Sequence, residues 1–327
     1  MADIHLTLAC GDYEITRPLI EGAVKPDGIN LTVLSDIDST TRHWRFLRHR
    51  EFDAAEVSAS SFILAKDAGH PVVGVPVFPH RRFRHEFVFV NTRNGVRVPK
   101  DLIGRKVGVK SFQATAILWM RGILEHEYGV PHQSIQWFSE LDEDVEFEPP
   151  PGLHLTRLAD NQSLEEMLVL GELDAVIHTD LIAPYLKGAP EVARLFDDYK
   201  SEEQRFYNKT GIFPIMHVVG LKREVVEQNP WVPIELFKAF EASKALGMKR
   251  SFNPRVAPLA WHRHAWEEQR AVLGPDPWEY GLGDRNRRNL ETLAGYSFEQ
   301  GLVKRLPSLD DLFANVSEGR KRGGHRV

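Results

Sequence analysis

The stretch GIFPIMHVVGL, residues 211–221, decides the fold. It is an apolar run of strand length. The segments just before it already form an α/β unit of their own and leave it no place there. It reads instead as the strand by which the chain returns to the sheet it began. That sheet is written in IHLTLA (4–9), INLTVLS (29–35), AAEVSAS (54–60), PVVGVPVF (71–78) and EFVFVN (86–91). Helical patterns lie between them, from Arg17 to Gly22, from Ser39 to Arg50, and from Ser60 and Ser61 to a stop at Gly69. This alternation predicts a mostly parallel sheet with helices on its faces.

A second unit opens near residue 99. PKDLIGRKVGV (99–109) leads into the amphipathic helix of SFQATAILWMRGILEHEYGV (111–130), closed by Gly129 and Pro131. SIQWFS (134–139) and ELDAVIHTD (172–180) read as strands, the second with its exit loop, and Leu164–Gly171 as a short helix. Residues 140–152, acidic and proline-rich, read as a surface loop. The last third is helical, from Pro233 to about Gly247 and from Pro258 to about Leu273. The expected division is therefore one lobe of 1–98 plus 211–327 and another of 99–210. A ligand cleft is expected between them, at strand carboxyl ends.

Composition is that of a soluble globular chain, 42% hydrophobic and 27% charged. A net charge of −5 gives no field to recruit nucleic acid. The basic run RHWRFLRHR (42–50) reads as a helix with a solvated basic face. The one cysteine, Cys10, excludes an intrachain disulfide and a cysteine zinc site. MADIHLTLACGDYEITRPL carries no basic and then apolar leader, and no run is long enough to span a bilayer, so a cytoplasmic protein without membrane partners is the expectation. GRKRGGHRV (319–327) reads as a frayed tail. Trp261, Trp266 and Trp278 pack either on their own core or on a second copy, which leaves a homodimer open.

The functional signal is PVFPHRRFRHEFVFVN (76–91). Guanidiniums beside apolar strand residues need anionic partners, and the planar fork of arginine grips a carboxylate bidentately. If the run is a strand, Arg82 and Arg84 share one face, with Arg81 and Phe83 on the other. His80 and His85 add groups that exchange protons near neutral pH. The alternative is a solvated turn with internal ion pairs.

CGDYEITRPL (10–19), FDAAEVSASSFI (52–63), PVFPHRRFRHEFVFVN, KDLIGRKVGV (100–109), QATAILWMRGILEHEYGV (113–130), GELDAVI (171–177) and TGIFPIMHVV (210–219) together resemble the 4,5-dihydroxyphthalate decarboxylase family. The resemblance covers residues 4 to about 315. It implies a two-lobed α/β fold like that of the type II periplasmic solute-binding proteins. It also implies a non-oxidative carboxy-lyase acting on a hydroxylated aromatic acid, such as 4,5-dihydroxyphthalate to protocatechuate, with no organic cofactor. The alternative is a solute-binding component of an ABC transporter for aromatic acids. Such a binder needs the cations but no proton donor.

Decarboxylating a phenolic ring needs an acid at the ring carbon, an acceptor at the phenol, and cations on the carboxylates. Arg82 and Arg84, with Arg81 beside them, are the expected carboxylate clamp. His217 and His85 are the candidate acids, with His178 after the DAVI strand a third. A lone histidine within IFPIMHVV is alternatively a satisfied core residue. Asp12 either takes the phenol proton or caps the next helix, and Tyr13 lies beside it. Arg17 is a second anion ligand or a surface residue. Ser60 and Ser61 at one helix start, and Ser111, Gln113 and Thr115 at another, offer backbone N–H groups to an anion. No HExxH, cysteine cluster, Walker loop or G-x-G-x-x-G opening a helix is present, so no nucleotide site is expected. A divalent metal on His80 and His85 is kept as a minor alternative to no metal.

Overall fold

The computed structural model describes residues 3–317. In chain order the strands are β1 (Ile4–Ala9), β2 (Ile29–Leu34), β3 (Ala54–Ser58), β4 (Val72–Val75), β5 (Val88–Asn91), β6 (Lys106–Val109), β7 (Gln136–Ser139), β8 (His154–Arg157), β9 (Ala175–Ile177), β10 (Val192–Arg194) and β11 (His217–Lys222). The helices are α1 (Arg17–Ile20), α2 (Ser39–His49), α3 (Ala59–Asp67), α4 (Thr115–Tyr128), α5 (Leu164–Leu170), α6 (Ala183–Leu186), α7 (Tyr199–Thr210), α8 (Arg223–Gln228), α9 (Val232–Ser251), α10 (His262–Leu273), α11 (Asp284–Glu299) and α12 (Leu309–Leu312). They form two units. The first holds the chain up to Arg81, His217–Arg287 and the part after Pro307. The second holds Arg82–Met216 and Arg288–Leu306. No helix among the described residues is long and apolar enough to cross a membrane.

The first unit is built on a sheet of order β2-β1-β3-β11-β4. β1, β2 and β3 are parallel, and β11 enters antiparallel between β3 and β4. The return strand predicted from GIFPIMHVVGL is β11, with its sheet pairing confined to His217–Lys222. All five residues of β3 are buried. A strand covered on both faces carries small and apolar residues throughout, and AAEVS obeys this except at Glu56. Helix α2 packs on β3.

The second unit has a sheet of order β10-β5-β9-β6-β7-β8. β6, β7, β8 and β9 are parallel, and β5 runs antiparallel to β9 and to β10. Phe87, Phe89, Leu164, Leu168 and Val176 form an apolar cluster against it. Helix α4 is buried from Thr115 to Leu124 and ends on Gly129 at φ 66°, the left-handed position a glycine fills without strain.

Four expectations are corrected. EFVFVN supplies β5 to the second sheet, so the chain first crosses after Arg81 and not near residue 98. An apolar run alone cannot say which sheet it joins. Each sheet carries one strand antiparallel to its parallel members, β11 or β5, and these are the strands nearest a crossing. The C-terminal third is divided, because most of α11 belongs to the second unit. Residues 140–152 are not wholly at the surface: Val145 is buried and Gln113 bonds its backbone in both directions. The basic tail lies outside the described residues.

Candidate active site

At the carboxyl ends of β1 and β3 the first unit buries a charged cluster around Glu56. Its side chain is 0% exposed. A lone carboxylate there would cost several kcal/mol, so its donors are informative. Oε2 accepts the Gly11 backbone N–H at 2.7 Å and lies 3.0 Å from Nη2 of Arg42. Oε1 accepts the Tyr13 hydroxyl at 2.8 Å and Nδ1 of His217 at 2.5 Å. The Arg42 contact is close but not aligned as a hydrogen bond. That guanidinium is held by its Nε on the Glu56 carbonyl and its Nη1 on the Ile37 carbonyl. Burial by itself raises the Glu56 carboxyl. The His217 and Arg42 charges, with the His217 and Gly11 hydrogen bonds, overcome it and hold the group well below the usual carboxylate range.

Local structure explains the convergence. In the antiparallel ladder His217 pairs with Ser58 and Val219 with Glu56. His217 and Glu56 are therefore diagonal neighbours on one face, within reach of long side chains. Gly11 has no side chain because a Cβ there would lie 2.5 Å from the Tyr13 ring. Its absence lets that ring fold over the turn. Helix α2, capped by Asp38 on the Thr41 N–H, turns Arg42 and His43 inward.

His217 is the member of the pair that keeps some exposure. Donation from Nδ1 to a carboxylate fixes the ring and leaves Nε2 to carry a proton to a ligand. The side chain is 13% exposed, whereas its partner is wholly covered. His43 and His80 stand edge-on to it, at 4.8 and 4.7 Å between ring centroids, and Tyr13 stacks on His80. Burial, then the His217 and Arg42 charges, drive His43 far below the ordinary histidine value. His43 is neutral and does not compete for the proton. Tyr13 is pushed well above 10, first by burial and then by Glu56, so it stays a hydrogen-bond donor.

The other expected residues of this unit are placed differently. Asp12 does not cap a helix; it pairs with Arg17 at 2.9 Å in an exposed link, and Arg17 also meets Glu14. Ser60 and Ser61 are buried in the first turn of α3, where Ser61 donates to Ser58 Oγ at 3.1 Å. Arg81 is 3% exposed and binds Asn286 and the Glu279 carbonyl, at 2.5 and 2.8 Å. Arg42, expected on a solvated face, is 2% exposed.

In the second unit residues 82–84 are not in a strand, so alternation does not pair Arg82 with Arg84. Arg84 is buried over the Phe87 ring, donates to the His178 carbonyl at 2.8 Å, and is lowered to about 9 by burial. Its role there is to hold the unit together. Arg82 stays partly exposed, 3.5 Å from Glu86 and 3.7 Å from Asp180. His85 is fully buried among Phe196, Phe206 and Tyr128, and burial lowers it to about 4. It is uncharged at neutral pH and enclosed by rings. His178 is tied through Nδ1 to the backbone of Asp180 at 2.8 Å and lowered by burial. The expected anion cradle before α4 is already filled by a carboxyl group of the chain itself. Glu143 accepts the N–H groups of Phe112 and Gln113 at 2.6 and 2.9 Å. Gln113 and Thr115 are buried, and Ser111 is half-buried. Arg121 is fully buried on the Phe112 ring.

Sequence reasoning missed Glu56, Arg42 and His43. The available signal was a glutamate in the middle of a short, otherwise apolar strand. His80 and His85, the pair considered for a metal, fall in different units. Among the described residues no group of three or more His, Cys, Asp and Glu is arranged to hold a metal ion.

No protein-family model matches the chain. Two curated proteins named 4,5-dihydroxyphthalate decarboxylase do. That of Comamonas testosteroni is 33% identical over 326 residues, covering 97% of this chain and 98% of its own. That of Pseudomonas putida is 32% identical over 215 residues, 63% of this chain and 83% of its own. Among solved structures, the periplasmic aliphatic sulphonate binding protein SsuA from Escherichia coli superposes with a TM-score of 0.55 at 15% identity, over 96% of this chain and 98% of that one. A putative sulfonate-binding SsuA from Methylobacillus flagellatus gives 0.58 at 11%, over 96% and 92%. These likenesses show the fold to be that of the periplasmic binding proteins. The sequence likeness, running the full length of a relative, shows that the chain belongs to the 4,5-dihydroxyphthalate decarboxylase family.

Proposed function

We propose that the protein is a non-oxidative decarboxylase of a hydroxylated aromatic carboxylate, 4,5-dihydroxyphthalate being the first substrate to test, and that it uses no organic cofactor. The observation that carries this reading is the Glu56–His217 pair, set in a chain whose full-length relative bears the decarboxylase name. His217 Nε2 gives its proton to the ring carbon that bears the carboxylate. The hydroxyl para to it supplies electron density, so that carbon becomes tetrahedral and the ring dienone-like. The bond to the carboxylate then breaks, its electron pair restores aromaticity, and carbon dioxide leaves. His217 is left neutral and takes up a proton from water for the next turnover. The net change is uptake of one proton and loss of one carbon dioxide.

Glu56 is a positioning residue in this scheme. It orients the imidazole and balances its charge while the proton is aboard. Tyr13, Gly11 and Arg42 hold Glu56 in turn. General acid help of this kind is worth about 10²–10⁴-fold.

The fold likeness to sulfonate-binding proteins supports a second reading, a solute binder for aromatic acids. A binder has no use for a proton donor backed by a buried carboxylate. Incubating the purified protein with hydroxylated benzene dicarboxylates, with and without chelator, and measuring carbon dioxide separates the two. Binding without gas release from any of them would favour the binder.

A further inference from the structure

The first unit contains a cavity of about 350 Å³ that the proton-transfer pair does not itself occupy. Its walls are Tyr13 and His80 on one side and the α9–α10 region on the other, with His262, Ala265, Trp266 and Trp278. The volume falls in the range of small-ligand sites. A dry cavity of about 150 Å³ already accepts benzene, so this one has room for a ring with polar substituents.

Two observations point to a ligand rather than to loose packing. Trp266 Nε1 and His262 Nδ1 are buried and have no hydrogen-bond partner among the described residues. An indole N–H has a single donor to satisfy, and leaving it unmet in a covered site costs about 1–3 kcal/mol. Both side chains line the same cavity, and because neither nitrogen has open surface, an occupant's oxygens meet them after a small turn of each ring. The walls are aromatic, and they favour a flat ring. Positive charge comes from Arg81, which also lines the cavity. Glu14 at the wall is paired with Arg17. The cavity also joins the proton-transfer pair through two of its own residues. Tyr13 donates to Glu56, and the His80 ring centroid lies 4.7 Å from that of His217, which does not itself line the cavity.

We propose that this cavity binds the aromatic ring of a hydroxylated carboxylate, stacked among Trp266, Trp278 and His80, with its oxygens hydrogen-bonded to Trp266 Nε1 and His262 Nδ1. The proposal rests on the functional reading above and adds the residues that set ring specificity. It assigns a ligand role to the C-terminal helical region, from which none of the quoted motifs of the family resemblance comes.

The test is calorimetric titration with protocatechuate, a hydroxylated ring acid, and with cyclohexanecarboxylate as the non-aromatic control, alongside carbon dioxide release from 4,5-dihydroxyphthalate. Ala265 is exposed at the wall, so Ala265→Phe fills the cavity without disturbing the core, and an unchanged melting temperature checks this. Trp266→Phe keeps the ring and removes only the N–H. The wild type is expected to bind protocatechuate and not the control. Trp266→Phe should weaken binding about tenfold, Ala265→Phe should abolish it, and Trp261→Phe, at a residue 79% exposed, should leave it unchanged. No binding by the wild type, or undiminished binding by the first two variants, overturns the assignment. Carbon dioxide release with an unchanged KM in Ala265→Phe sinks the cavity and spares the reaction. Cavity-dependent binding without gas release sinks the reaction and spares the cavity.

Discussion

His217 pairs with Ser58 in the β3–β11 ladder, yet its Nδ1 lies 2.5 Å from Oε1 of Glu56, two residues back on the same face. The diagonal exists because β11 enters antiparallel to β3. Had the returning strand run the other way, the histidine at its start would lie at the opposite end of the sheet. Direction of entry thus converts two isolated anomalies, a histidine and a glutamate in apolar strands, into one hydrogen-bonded pair.

Replacing His217 with Gln should leave the fold and ligand binding intact and lower turnover by roughly 10²–10⁴-fold. Melting temperature, calorimetric affinity and kcat check the three parts. Turnover within threefold of wild type would remove His217 as the acid.

Replacing Glu56 with Gln strands Arg42 in the core without its counter-charge. Breaking a buried pair from one side costs about 3–5 kcal/mol, to be read as a lowered urea midpoint. The pH dependence follows from the depressed Glu56 carboxyl. Its contribution is present above the unfolded value of 4.5 and is lost as pH falls below it, so the acid limb of the stability profile should flatten in the variant.

Glu143 and Glu203 have the opposite sign. Burial raises each from 4.5 to about 7. Between those values the unfolded chain has released the proton and the folded one has kept it, so stability falls as pH rises from about 4.5 to about 7. Glu143→Gln keeps one oxygen to accept one of the Phe112 and Gln113 N–H groups, which Glu143 meets with separate oxygens, and removes the Glu143 share of that slope. Denaturation of wild type and variant at pH 5 and pH 8 should show the variant gaining at the higher pH, by at most roughly 3 kcal/mol.

The arginines of the 81–84 run divide by burial. Arg84→Ala should lower the melting temperature, because it leaves a void under Phe87 and an unpaired His178 carbonyl. Arg82→Ala should leave the melting temperature within the about 0.5 kcal/mol typical of a surface change. Equal destabilisation by both would contradict this division.

How much of this was legible depends on the kind of signal. His217 could be marked because a histidine interrupts IFPIMHVV, but its partner lies 161 residues earlier, and a single glutamate in AAEVS passes for a strand-edge residue. Arg42 was unreadable for a different reason. RHWRFLRHR has several basic residues at helical spacing, and nothing local says which one turns inward. Arg82 and Arg84 misled because alternation holds only in a paired strand, and residues 82–84 have no such partner. His85 looked reactive in a basic stretch, and only the rings of Phe196 and Phe206, more than a hundred residues on, show it to be enclosed.

By itself the chain determined the alternation of strands and helices, the fact of a departure and a return, and the oddity of one histidine in the returning strand, because periodicity and turn residues are local properties. Tertiary structure alone decided which sheet EFVFVN joins, which arginines are buried, and which carboxylate meets that histidine. Those outcomes depend on strand order and direction, set by non-local packing that brings residues far apart in sequence within hydrogen-bonding distance.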